Sequence, residues 1–247
     1  MRPRASYLIC ATPRSGTTLL CDLLTQTGQA GAPQSYYRRQ DMGGRAKGWG
    51  LAQDASVAFD RAYLDAVLRA GAGETDVFGL RLMWGTVGEL CERLDRLFPE
   101  VKTTADLLAQ AFGAVTYVHV SRQDKVAQAI SLLRAEQSGL WHLAADGTER
   151  QRSGPAGVIG YDERRLVALV DELERDDAAW AGFFADAGVT PVSVRYEDLA
   201  VRPEAVVGEI LQGLGCASTS PVAPRTARMA DEISQAWRAR FREERGR

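Results

Sequence analysis

The chain has 247 residues, 45% of them hydrophobic and 25% charged, with a formal net charge of −2. That length suits a single α/β domain spanning residues 1–247, and the near-neutral charge supplies no global field to draw the chain to nucleic acid or a membrane surface. Four scattered cysteines without a C-x-x-C pair, two histidines and no run near the ~20 apolar residues of a membrane span point to free thiols in a reducing, cytoplasmic setting. They argue against a His/Cys metal site and an integral membrane protein.

Tyr7–Ala11 reads as a buried strand, and the segment from Thr17 to Thr27 as its helix. Met1-Arg2-Pro3-Arg4 is basic, but the apolar stretch after it belongs to that strand and does not read as a secretory leader. Residues 28–50 form a long loop rich in Gly, Arg and aromatics. Val57, Tyr63, Leu64, Val67 and Leu68 recur at helical spacing within 56–70. A second strand is expected over Val77–Met83, a helix over 87–97, and another over 103–112 capped by Thr103 or Thr104. Val115–Val120 reads as the third strand, with a helix over 125–137. A second long loop covers 139–160. A long helix over 161–187, a short strand over 192–194, a helix over 203–214 and a basic amphipathic helix over 231–244 complete the chain. Short apolar strands alternating with longer helices predict a parallel central sheet flanked by helices on both faces, P-loop-like in its first βα unit. Ligands in such sheets bind at the carboxyl ends of the strands.

The turn Thr12-Pro13-Arg14-Ser15-Gly16-Thr17-Thr18 follows the first strand and opens the first helix. A strand–turn–helix of this kind aims backbone N–H groups and a helix N-terminus at one point, which favours an anion. Against the nucleotide-triphosphate pattern G-x-x-x-x-G-K-[ST], Ala11 stands at the first Gly and Thr17 at the Lys. Arg14 supplies the positive charge instead, so the turn should hold a phosphate-type group without nucleotide–magnesium chemistry. A second anion signal lies at the end of the third strand, where Arg122 and Ser131 can pinch a phosphate between them. Two separated anion sites fit a nucleotide with phosphates at both ends.

These motifs resemble the sulfotransferases that use 3′-phosphoadenosine 5′-phosphosulfate (PAPS), and more narrowly the bacterial trehalose 2-sulfotransferase and lipopolysaccharide sulfotransferase type. The resemblance runs through Gly31-Ala32-Pro33, Gly79-Leu80-Arg81-Leu82-Met83-Trp84, Arg122 to Ser131, Val194-Arg195-Tyr196-Glu197-Asp198-Leu199 and Trp237. It implies that Arg14, Ser15, Gly16, Thr17 and Thr18 hold the 5′-phosphosulfate and that Arg122 and Ser131 hold the 3′-phosphate. It also implies sulfuryl transfer to a hydroxyl of a carbohydrate or glycolipid, no required metal, and a possible homodimer. The chemistry is in-line displacement served by positioning and electrostatics, in which Arg14 and Arg81 are expected to act. Two other classes fit the same turn: a P-loop-like small-molecule kinase, and a catalytically silent nucleotide-binding relative.

One departure stands out. The trehalose enzymes carry a glutamate, their expected base, before paired aromatics, and here the segment is Pro33-Gln34-Ser35-Tyr36-Tyr37. Serine is no general base at neutral pH. Either Asp41 or His142 supplies the base, the acceptor is acidic enough to need little help, or the chain is inactive. Ser35 also shifts the expected acceptor toward a lipopolysaccharide-type sugar. Gln34, Ser35, Tyr36, Tyr37, Trp49, Trp84 and Trp141 are candidate acceptor contacts, because aromatic faces stack on sugar rings. Arg38, Arg39, Arg45 and Lys47 make one loop basic, suited to an acidic acceptor. The C-terminal run Arg238, Arg240, Arg242, Arg245 and Arg247 reads as a solvated helix face or a lid.

Overall fold

In the computed structural model, residues 3–52, 54, 56–143, 146, 148–155, 157–217, 222–224 and 231–246 are described; Arg247 falls outside them. Four strands, β1 (Ala5–Ala11), β2 (Val77–Met83), β3 (Val115–Ser121) and β6 (Val192–Arg195), form a parallel sheet in the order β2-β1-β3-β6. Among the described residues, no helix is long and apolar enough to cross a membrane.

β1 is apolar along nearly its whole length because both faces of a parallel sheet are covered. Leu8 and Cys10 point into one core with Phe78, Leu80, Leu82 and Trp180. Tyr7, Ile9 and Ala11 point into a second core with Val118, Val120 and Val194. The first core is closed by α3 (Val57–Ala72), α4 (Trp84–Leu97), α5 (Thr104–Phe112) and α7 (Glu163–Asp186), and the second by α1 (Thr17–Gln26) and α9 (Pro203–Gly213). A third apolar cluster joins α6 (Lys125–Ser138), α7 and the last helix, α10 (Glu232–Glu244). The fully buried carboxylate of Asp60 is paired by Arg93 at 2.7 Å and Arg96 at 2.6 Å. Such a charge is tolerable in the interior only when it is paired.

Helix starts follow local chemistry. Thr103 accepts from the Asp106 amide, Asp124 from Ala127, Asp162 from Arg165 and Asp231 from Ser234. Neither of the two long loops is irregular throughout. Residues 39–48 form a helix, α2 (Arg39–Gly48), of which Met42 and Ala46 are the buried contacts. The polar composition and the glycines of α2 hide it from a periodicity argument. The second loop contains a hairpin of β4 (Leu140–Leu143) and β5 (Glu149–Arg152), short strands with an irregular register. A one-turn-plus helix, α8 (Tyr196–Val201), begins directly after β6, and α4 begins three residues earlier than its apolar spacing predicts.

Register brings the carboxyl ends of the strands level: Ala11 lies opposite Met83 and beside Val120, and Ser121 lies opposite Arg195. The residues that follow these four ends share one wall of a cavity.

Candidate active site

The cavity has a volume of about 830 Å³, within the range that holds a nucleotide-sized ligand. Its floor is the turn after β1. Arg14 has φ 65, the one non-glycine residue with positive φ among those described, and Gly16 has φ 87. A side chain at Gly16 would meet the Tyr196 ring at 2.6 Å, so glycine is required by both conformation and space. The turn is anchored from below. Trp180 Nε1 donates to the Ala11 carbonyl at 3.0 Å. Gln128, buried, donates to Thr12 Oγ1 at 2.9 Å and to the Pro13 carbonyl at 2.7 Å. Thr12 donates to Asp177 at 3.1 Å, and Lys125 closes the group through an ion pair with Asp177. Ser15 is buried and its hydroxyl donates to the Thr12 carbonyl at 2.8 Å, so its side chain shapes the turn from within.

Above this floor, Arg14, Gly16, Thr17, Thr18, Arg122, Ser131, Ser35, Arg81, Trp141 and His142 all face the cavity. The two anion motifs meet. Arg14 Nε donates to Ser131 Oγ at 3.0 Å and Arg14 Nη1 to the Trp141 carbonyl at 2.5 Å. Arg122 Nη1 donates to the Arg14 carbonyl at 3.3 Å, with its guanidinium 4.6 Å from the Tyr196 ring centre. The separation expected between the motifs is therefore bridged by the Arg14 side chain, which reaches from one to the other. Burial, and then the Arg122 charge, lower the Arg14 pKa to about 10, which still leaves it a cation at neutral pH.

A second chain of contacts crosses the cavity. Arg81 Nε donates to Ser35 Oγ at 2.8 Å and Arg81 Nη1 to Thr18 Oγ1 at 2.9 Å. Thr18 Oγ1 in turn lies 3.0 Å from His142 Nε2. Burial first, and then the charges of Arg14, Arg81, Arg150 and Arg38, draw the imidazole from 6.5 down to about 3, so His142 is neutral at physiological pH.

Other candidates lie elsewhere. Tyr36 and Tyr37 are buried: the Tyr36 hydroxyl donates to the Ala32 carbonyl at 2.6 Å, and Tyr37 packs edge-on against Tyr63. Trp49 packs on Tyr36 and Tyr63, and Trp84 stands edge-on against Trp180. The Gln34 side chain accepts from Arg45 at 3.0 Å, and its carbonyl accepts from the Arg81 amide at 3.1 Å. Asp41 sits 3.4 Å from Arg38 and is not part of the cavity wall. Tyr36 and Tyr37 are buried in the aromatic packing, whereas Trp49 and Trp84 are half-buried against it. Of the basic loop, Arg38 reaches the cavity, whereas Arg39 pairs with Glu89 at 2.9 Å.

Several wall residues escape sequence reasoning. Gln40 comes from α2, Gly85 and Thr86 from the start of α4, Asp176 from α7, and Ser234 and Gln235 from α10; Arg238, of the basic run read as a solvated face or a lid, reaches the wall beside them. Arg238 is ion-paired with Asp124, which ties α10 to the start of α6. The cap Asp124, also on the wall, carries a local signal in its place just ahead of a helical run. A polyanion fits this arrangement, because five arginines and three carboxylates share the wall.

The Stf0 sulphotransferase family model matches residues 6–244. The chain belongs to that family. It is thus a sulfotransferase by family, and the kinase reading of the turn is set aside. Two curated relatives are similar over nearly the whole length. Trehalose 2-sulfotransferase of Mycobacterium tuberculosis (strain ATCC 35801 / TMC 107 / Erdman) is 30% identical, over 96% of this chain and 94% of the relative. Trehalose 2-sulfotransferase of Mycolicibacterium smegmatis (strain ATCC 700084 / mc(2)155) is 28% identical over the same shares. A solved sulfotransferase from Alicyclobacillus acidocaldarius is 15% identical with a TM-score of 0.48, covering 96% of this chain and 92% of that one.

Proposed function

We propose that the cavity binds PAPS and transfers its sulfuryl group to a carbohydrate hydroxyl, with His142 as the base. The observation that supports this reading best is the meeting of the Thr12–Thr18 turn, Arg122, Ser131, Arg81 and His142 on one cavity wall. The backbone N–H groups of Ser15, Gly16, Thr17 and Thr18 and the dipole of α1 receive the 5′-phosphosulfate. Arg122 and Ser131 receive the 3′-phosphate. Arg14 and Arg81 stabilise the charge that spreads over the equatorial oxygens and the leaving 5′-phosphate, where one well-placed donor contributes roughly 2.7–4 kcal/mol.

His142 is preferred to Asp41 because it lies on the wall beside Thr18, whereas Asp41 lies off the wall beside Arg38. Ser35 does not act as the base: its oxygen accepts from Arg81 Nε and so orients that guanidinium. The acceptor is a saccharide. The names of the curated relatives give trehalose, while Ser35 and the cationic Arg38 in the wall favour an acidic, lipopolysaccharide-type sugar.

The test is binding of 3′-phosphoadenosine 5′-phosphate (PAP) by calorimetry in chelator, followed by transfer of labelled sulfate from PAPS to trehalose and to acidic glycan extracts. The expected result is metal-independent PAP binding and labelling of a saccharide. A protein that ignores PAP, or that binds it and labels no saccharide, overturns the assignment.

A further inference from the structure

His142 is an unusual base, because the protein surrounds it with cations. Arg14, from the turn after β1, donates to the carbonyl of the adjacent Trp141 at 2.5 Å, and Arg81 of β2 shares Thr18 Oγ1 with the imidazole. Arg38, at the start of α2, lies 5.9 Å from the Trp141 ring centre, and Arg150 stands on β5 next to Gln151, which pairs with His142. All four charges act on the imidazole. Of these, Arg150 is ion-paired with Asp22 of α1, and Arg38 has the more distant Asp41. Arg81 is held by the neutral Ser35 and Thr18 oxygens, and Arg14 by Ser131 and the Trp141 carbonyl. Of the wall carboxylates Asp124, Asp176 and Glu197, Asp124 is already paired with Arg238. The protein alone therefore disfavours a proton on this imidazole.

Thr18 connects the imidazole to the anion cradle. Its hydroxyl stands on the first turn of α1, where an anion would sit, and it contacts both Arg81 Nη1 and His142 Nε2. A guanidinium only donates, so Thr18 Oγ1 is the acceptor in the first contact. An anionic oxygen on α1 would compete for both the Thr18 hydroxyl and Arg81.

We propose that the sulfuryl donor itself makes His142 a base, by placing negative charge among the four arginines and by drawing Thr18 away from Nε2, so that the donor must bind before the acceptor hydroxyl can be deprotonated. The inference rests on the PAPS reading above. In the step itself, the acceptor O–H bond breaks as its proton passes to His142, and the acceptor oxygen bonds to sulfur. The bond from sulfur to the bridging oxygen breaks, leaving its electron pair on the 5′-phosphate. Once the nucleotide leaves, His142 again faces the four arginines without the donor's charge and returns its proton to water. The donor thus both supplies the group and gates the base, which keeps the imidazole neutral between turnovers.

The chain has two histidines, His119 and His142, so imidazole NMR can follow each one. His119→Gln leaves a single signal, and His142→Gln verifies its assignment. Without ligand, the His142 signal should stay in its neutral form down to the acid limit of the folded protein. Saturating PAP should bring a His142 titration midpoint into the accessible range, at least about one pH unit above the acid limit at which the free protein shows none, as expected for opposite charge within several ångströms. Adenosine, which lacks the phosphates, should leave it in place. Thr18→Val should reduce the effect of PAP on the signal while His119 is unmoved. A free protein whose His142 titrates near 6.5, or PAP binding that leaves the midpoint where it was, overturns the coupling but not the donor assignment. A failure of PAP to bind overturns both.

Discussion

At one end of the cavity the turn after β1 rests on buried Trp180 and Gln128, which hold it through hydrogen bonds from α7 and α6. On the part of the wall that meets this turn through Thr18 and His142, Arg38 and His142 are carried by the start of α2 and the β4–β5 hairpin, which is tied to α1 by the Arg150–Asp22 pair near the surface. The first is a fixed turn, the cradle proposed for the donor, backed by two apolar cores. The second is built from polar segments whose fixings are partly solvated, and such pairs contribute little stability. Donor binding should therefore depend on the core beneath the cradle, and acceptor handling on a few charged side chains that can change without unfolding the protein.

The sharpest way to separate the two parts is His142→Gln. It should lower kcat by about 10²–10⁴-fold, the usual contribution of a base, with a much smaller change in PAP affinity by calorimetry, since His142 competes with the donor only for Thr18. A matching loss of PAP affinity would mean that the two parts are not separable. Trp180→Ala attacks the first part: urea denaturation should show a loss of about 3–5 kcal/mol, accompanied by weaker PAP binding, since the fully buried indole also carries the Ala11 carbonyl. Arg14→Ala should preserve the melting temperature but reduce kcat by about 10²–10³-fold and weaken PAP.

Acid sensitivity offers a further probe. The folded site refuses a proton that the unfolded chain accepts at His142, whose pKa is 6.5 when unperturbed and about 3 here. The stability from this group is full above about 6.5 and falls as pH drops toward 3, so His142→Gln should flatten that acid limb of the stability curve. The smallest effect is expected for Asp22→Asn. Breaking its pair with Arg150 should cost no more than about 1 kcal/mol in thermal unfolding, yet shift the acceptor KM by loosening the hairpin that holds His142.

Much of the cradle is legible in the sequence because its information is local. An apolar run, a glycine that must take positive φ, and an arginine and threonines at a helix start follow one another directly in the chain. The parallel order of the sheet follows in the same way from alternating apolar strands and helices. The rest of the wall is harder to read. Gln40, Asp176, Ser234 and Arg238 reach it from three helices distant in the chain, and no spacing rule links them. Tyr36 and Tyr37 show the converse: aromatic rings suit sugar stacking, but Tyr36 is buried against Trp49 and Tyr37 against Tyr63.

The sequence by itself determined the turn proposed to hold the donor's anion, because backbone N–H groups, a helix start and a nearby arginine act through neighbours in the chain. Only the tertiary structure decided that Arg14 spans both anion motifs, that Asp41 is off the wall, and that four arginines from separate elements surround His142. The reason is physical: hydrogen-bonding loops are specified at short range, whereas the proton affinity of a side chain depends on burial and on charges from every element folded around it.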